Sequence, residues 1–213
     1  MNFRIIDIDK WGRRELFNHY FSDVPCSYSI TVKIDITNIK ASGKKLYPAM
    51  LYYLSCIVNR HEEFRMKLDG QGRLGVFDRM HPGYTVFHKD TETFSNIRTP
   101  YSEDYELFRL DYEQDIVRYG AVHRFEAKPD TPDNVFTVSM LPWVSFEGFN
   151  LNLPSDSGYL LPFFTIGKYY EENRRLILPL AIQVHHSVCD GFHVCRFIDE
   201  LRNRINDDKI QAL

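Results

Sequence analysis

The sequence predicts an α+β fold, a single domain with a mixed β-sheet and flanking helices. Three observations carry that prediction. Stretches of period-two alternation recur along the 213 residues and are interleaved irregularly with stretches of helical period. No low-complexity linker divides the chain, and the absence of an internal repeat excludes a hexapeptide-repeat β-helix. A chain of this length holds one sizeable core, or at most two small domains.

The elements follow in order. Residues 3–8 read as a short strand, and Trp11 to Phe21 as a helix with Trp11, Leu16, Phe17, Tyr20 and Phe21 on one broad face. Val24-Pro25 ends that helix. From Tyr28 to Ile36 apolar residues alternate strictly with Ser29, Thr31, Lys33 and Asp35, the clearest half-buried strand in the chain. A second helix carries Pro48 in its first turn and Met50, Leu51, Leu54, Ile57 and Val58 on one face. Arg65–Leu68 and Arg73–Phe77, joined by Asp69-Gly70-Gln71-Gly72, read as a hairpin.

Tyr84–His88 is a further strand. Ser102 is placed to cap a helix bearing Tyr105, Phe108, Tyr112, Ile116 and Tyr119. Lys128–Asn134, with two prolines, is a loop, and Asn134–Met140 is a strand. Phe163–Tyr170 and Arg174–Val184, separated by Glu171-Glu172-Asn173, form a second hairpin. A last helix carries Val194, Ile198, Leu201 and Ile205 at three- and four-residue steps.

Composition narrows the function. Acids and bases are nearly balanced, 29 against 26, and interspersed, so no basic stripe speaks for nucleic acid. No apolar run approaches the roughly 20 residues that span a bilayer, and the N-terminus lacks the apolar segment of a signal peptide. Cys26, Cys56, Cys189 and Cys195 show neither CxxC spacing nor a dense framework. The expectation is a cytoplasmic protein with reduced thiols, without nucleic-acid or membrane partners. Sixteen Phe and 13 Tyr hint at an aromatic-lined pocket, although core packing accounts for most of them.

The stretch Gln183-Val184-His185-His186-Ser187-Val188-Cys189-Asp190-Gly191-Phe192-His193 joins the last strand to the last helix. Asp190 is placed to cap and Gly191 to bend. Adjacent histidines at a strand end point to opposite faces, so at most one of them faces a given cleft. Three readings stand on spacing alone. His186, Asp190 and His193 are metal-ligand types, but they do not share a helix face and no second ligand cluster accompanies them. A histidine pair beside an aspartate N-cap can equally be turn architecture. Finally, an imidazole with the reference pKa of about 6.5 is mostly neutral at pH 7 and suits a general base. No GxSxG elbow supplies a serine nucleophile, so such a base would act on the substrate itself.

That segment resembles the signature of the histidine-dependent chloramphenicol acetyltransferases. The similarity extends in order through Trp11-Gly12-Arg13-Arg14-Glu15, Lys33-Ile34-Asp35-Ile36-Thr37, Phe64-Arg65-Met66 and Thr85-Val86-Phe87-His88. It continues through Thr91-Glu92-Thr93-Phe94-Ser95, Ser139-Met140-Leu141-Pro142-Trp143-Val144 and Phe149-Asn150-Leu151-Asn152. It covers essentially the whole chain. The HxxxD core alone is less specific, since condensation domains and dihydrolipoamide acyltransferase cores share it.

The resemblance implies a CoA-dependent acyltransferase fold and a single acetyltransferase domain over residues 1–213. It implies transfer of acetyl from acetyl-CoA to the primary (3-) hydroxyl of chloramphenicol in a ternary complex, without a metal. His186 matches the general base, Ser139 the hydroxyl donor to the oxyanion, and Thr165 a threonine acting through an ordered water. Asp190 and Arg13 match a structural pair that fixes the turn, whose disruption would cost roughly 3–5 kcal/mol if buried. Tyr20, Tyr28, Phe94, Phe125 and Leu151 match the lining of the chloramphenicol pocket. The family implies a homotrimer with active sites between subunits. The sequence departs from the family at residues 122–134, at Thr137 where asparagine is common, and at Tyr28 where phenylalanine is expected. Acetylation of another small hydroxyl compound, or a non-catalytic oligomeric core of the same fold, are the alternatives.

Overall fold

A small antiparallel sheet gathers the N-terminus in the computed structural model, which describes residues 2–154 and 157–207. Strand β1 (Phe3–Ile5) pairs with β4 (Leu74–Phe77), and β4 pairs with β3 (Met66–Leu68). The β3–β4 hairpin is the expected one. Asp69 stabilises its turn by accepting backbone N–H bonds from Gln71 and Arg73 through Oδ1. The expected first strand is shorter than residues 3–8, because Ile8–Lys10 turn into a 3₁₀ helix.

The second sheet is mixed. Among the described residues its order is β2 (Ser27–Asp35), β10 (Arg175–His185), β8 (Phe163–Gly167), β7 (Val135–Leu141), β5 (His81–His88) and β6 (Thr93–Arg98). Short β9 (Tyr170–Glu172) pairs with the start of β10. β7 runs parallel to β8 and β5, while the remaining pairs are antiparallel. One face is packed by α3 (Leu46–Arg60), α4 (Tyr105–Tyr119) and α5 (Gly191–Asp207). Met50, Leu51, Leu54, Ile57 and Val58 of α3 are all fully buried, as their spacing requires. In α5 the expected stripe is buried together with Phe197, which stacks on Phe164 of β8.

Several expectations are corrected. The helix expected from Trp11 to Phe21 is α1 (Arg14–Asn18), continued by a widened π turn over His19–Asp23. Asp104, not Ser102, caps α4, accepting from the N–H groups of Glu106 and Leu107, while the Ser102 hydroxyl accepts from Asp104 N–H. Asp104 lies immediately before the helix, where a short carboxylate reaches both orphan donors. The expected strand Phe163–Tyr170 is broken at Lys168-Tyr169, and its turn is Asn173-Arg174, both at positive φ (51° and 62°). β5 begins at His81 because Gly83, without a Cβ, allows β7 to close: a Cβ there would lie 2.6 Å from Val135 Cγ1. Helix α2 (Thr37–Ala41) and strand β6 escaped the pattern reading. In β6 the polar Ser95 occupies a fully buried position that alternation reserves for an apolar residue.

Candidate active site

β10 carries His185 as its last residue and then turns. The next backbone N–H, of His186, is donated to the Cys26 carbonyl at 3.0 Å, pinning the turn to the start of β2. The two imidazoles part here. His185 is buried, its Nδ1 is 2.8 Å from the Ser187 hydroxyl, and burial lowers its pKa. His186 is only partly buried and lies between two tyrosines. The Tyr20 ring is stacked on it at 3.8 Å and 11°, and the Tyr28 ring meets it edge-on at 5.3 Å. Tyr20 reaches this position from the π turn, a helical irregularity often found where a side chain must be re-aimed.

Asp190 is bonded to Arg13: its carboxylate accepts from Nη1 at 2.6 Å and from Nη2 at 3.1 Å. His186 Nδ1 is 3.4 Å from Asp190 Oδ1 without forming a hydrogen bond. The guanidinium holds the Asp190 carboxyl below the usual carboxylate range, and Arg13 is raised in return. The carboxylate is not the helix cap. Instead the His193 Nδ1 accepts from the Asp190 N–H at 2.9 Å, a reach from the first turn back to the N-cap backbone. Nor does Gly191 bend the chain through a left-handed conformation; it is the first residue of α5, and a Cβ there would meet nothing within 4 Å. Tyr28, with the hydroxyl that sets it apart, donates to the Cys189 carbonyl at 3.2 Å.

A second group lies across the sheet. Ser139 on β7 lines a cleft of about 470 Å³ with Thr85, Phe87, Phe94, Met140 and Trp143. Phe94 and Phe125 approach edge to face at 6.1 Å beside it, both half exposed or more. Thr165 is buried directly opposite Ser139 in the β7–β8 register. Leu151 lies beside β10, where its N–H and carbonyl bond the Gln183 amide at 2.7 and 2.9 Å. Thr137 and Tyr159 line a common pocket with Gly83 and Val135.

One chain does not bring these two groups together. Ser139 faces Thr165, Thr165 faces Ala181, and His186 lies five residues beyond Ala181. That spacing separates the His186 and Ser139 positions by about 10 Å across two strand intervals and roughly 15 Å along them. Cys26 is a contributor without a sequence signal, whereas Gln183 and Trp143 lie within the family-like segments, which assign them no role. Among the described residues no group of three or more His, Cys, Asp or Glu is placed to hold a metal ion, which leaves the His186–Asp190–His193 metal reading without support. No helix among them is long and apolar enough to cross a membrane.

The family model described as chloramphenicol acetyltransferase matches residues 1–202. A chloramphenicol acetyltransferase of Clostridium perfringens is 59% identical, the match covering 97% of this chain and 100% of that protein. One from Vibrio anguillarum is 58% identical over 100% of this chain and 96% of the relative. Among solved structures, a chloramphenicol acetyltransferase superposes with a TM-score of 0.82 at 24% identity, covering 96% of this chain and 100% of that one. An Azotobacter vinelandii dihydrolipoamide acetyltransferase shares the fold at a TM-score of 0.69 and 17% identity, over 88% of this chain and 84% of that one.

Proposed function

The chain belongs to the chloramphenicol acetyltransferase family and is an acyltransferase; we propose that it acetylates the 3-hydroxyl of chloramphenicol from acetyl-CoA with His186 as general base, inactivating the antibiotic. The observation that carries this reading is the exposed side of the His186 ring, held between Tyr20 and Tyr28 at the end of β10. Nδ1 is buried, so Nε2 is the nitrogen that meets the substrate. It takes the hydroxyl proton as that oxygen attacks the thioester carbonyl carbon. Negative charge develops on the carbonyl oxygen, and the Ser139 hydroxyl donates to it. Collapse breaks the carbon–sulfur bond, and the imidazolium returns its proton to the departing CoA sulfur. A general base of this kind is worth on the order of 10²–10⁴ in rate, and an oxyanion donor about 2.7–4 kcal/mol.

The separation of His186 from Ser139 within one chain supports a homotrimer whose sites form between subunits, His186 coming from one and Ser139 with its aromatic cleft from the next. Tyr20 and Tyr28 then reach the acceptor from the histidine's side, and Phe94 and Phe125 from the other. Thr165 assists through a water held near Ser139. Thiol release from acetyl-CoA, measured with and without chloramphenicol, tests the activity. Release that does not depend on chloramphenicol but does depend on another hydroxyl compound would reassign the acceptor.

A further inference from the structure

Ser95 is fully buried in β6, and His88, at the end of β5, is 6% exposed. His88 faces Thr93 and Ser95 faces Val86, so the two polar residues are diagonal neighbours on one face of the hairpin. The opposite face of the same hairpin presents Phe87 and Phe94 to the cleft. The Ser95 hydroxyl is 2.6 Å from the Val122 carbonyl and 2.7 Å from His88 Nε2. A carbonyl only accepts, so the hydroxyl hydrogen goes to Val122 and His88 must donate its Nε2–H. The relay His88–Ser95–Val122 thus has its polarity fixed from end to end.

It ends at the start of the segment over residues 122–134. From Val122 the chain runs beside β6, with Asn96 N–H donating to Phe125 O at 2.6 Å and Ala127 N–H to Asn96 O at 3.0 Å. Lys128 then closes the segment, bonded at 2.6 Å to Asp115, itself buried. Phe125 lies between these anchors, and its ring, 63% exposed, has little packing of its own to hold it against Phe94.

We propose that His88 and Ser95 are positioning residues for the acceptor, acting through Val122 to hold Phe125 as a fixed wall of the acceptor site. This rests on the reading of Phe94 and Phe125 as acceptor contacts. Ser95→Ala removes the bond that ties the Val122 carbonyl to β6, leaving it only the local Arg124 N–H at 3.0 Å, and lets the segment drift. The acceptor KM rises on the order of tenfold, the equivalent of one hydrogen-bond-sized interaction, while kcat and the acetyl-CoA KM stay within about twofold. His88→Phe does the same, whereas His88→Gln, which restores an N–H donor, recovers a near-normal acceptor KM. In a Phe125→Ala background Ser95→Ala adds nothing further to KM, because its effect passes through that ring. Thermal melts of each variant accompany the kinetics. A Ser95→Ala effect that persists undiminished without Phe125, or a loss of kcat and stability with KM unchanged, overturns the proposal. Should Phe125→Ala alone leave the acceptor KM untouched, the acceptor-wall reading itself fails and the proposal with it.

Discussion

His185 and His186 share a backbone turn but have different surroundings, and substitution should separate them. His186→Ala removes the ring between Tyr20 and Tyr28 and is expected to lower kcat by at least about 10²–10⁴ while the fold persists. His185→Ala leaves Ser187 without its partner and acts through stability. Steady-state kinetics beside thermal melts measure both; equal catalytic losses at unchanged stability would move the base away from His186. The Arg13–Asp190 pair is a scaffold at the same scale. Its side chains remain 22% and 30% exposed, so losing one partner should cost about 2 kcal/mol, less than a fully buried pair. Asp190→Asn and an Arg13 replacement should be non-additive in a double-mutant cycle, and strict additivity would dissolve the pair.

Among the elements, the β9–β10 hairpin turns on Asn173 and Arg174, both in the left-handed region. Asparagine tolerates this conformation; an arginine Cβ is strained there by roughly 1–2 kcal/mol. Arg174→Gly relieves that strain and gives back part of it as chain entropy, so stability should rise by up to about 1 kcal/mol. A denaturant titration checks this, and a lower midpoint at unchanged slope would show that the Arg174 side chain matters more than its backbone.

Across the whole molecule, acid stability is set by histidines held neutral. Burial pushes His81 down to about 4, and its Nδ1 accepts the Tyr101 N–H at 2.9 Å; burial also lowers His185. Their pKa values are lower folded than unfolded, so the unfolded chain binds more protons below the reference value of about 6.5. Stability should therefore be level above about pH 6.5 and fall towards pH 4, by about 3 kcal/mol at most for His81. The depressed Asp190 carboxyl extends the loss to lower pH, as protonation breaks its pair with Arg13. His81→Asn, which keeps an acceptor without a titrating ring, should flatten the pH 4–6.5 slope of the melting temperature; an unchanged slope would assign it elsewhere.

The assembly has its own test. If sites form between subunits of a closed three-fold ring, His186→Ala and Ser139→Ala chains, each nearly inactive, should complement after unfolding and refolding together. About three quarters of randomly assembled trimers are mixed and each holds one intact site, which sets a ceiling near a quarter of wild-type activity. Verified mixed trimers without recovery would return both residues to one subunit's site.

Much of the fold was legible in the chain, because periodicity records burial locally. β2, the buried face of α3, the stripe of α5 and the β3–β4 hairpin follow from apolar spacing and turn residues alone. The His186–Asp190 segment was legible as a strand-to-helix turn, and its resemblance to a family named the chemistry. Periodicity failed where a buried position is polar. Ser95 broke the alternation of β6 because its partners, His88 and the Val122 carbonyl, arrive from elsewhere in the chain. Spacing alone left Asp190 beside its near neighbour His186; the family resemblance pointed to Arg13, and the tertiary structure shows the two bonded across 177 residues. Only strand register separated His186 from Ser139, because pairing order across a sheet is set by long-range contacts that local sequence does not encode.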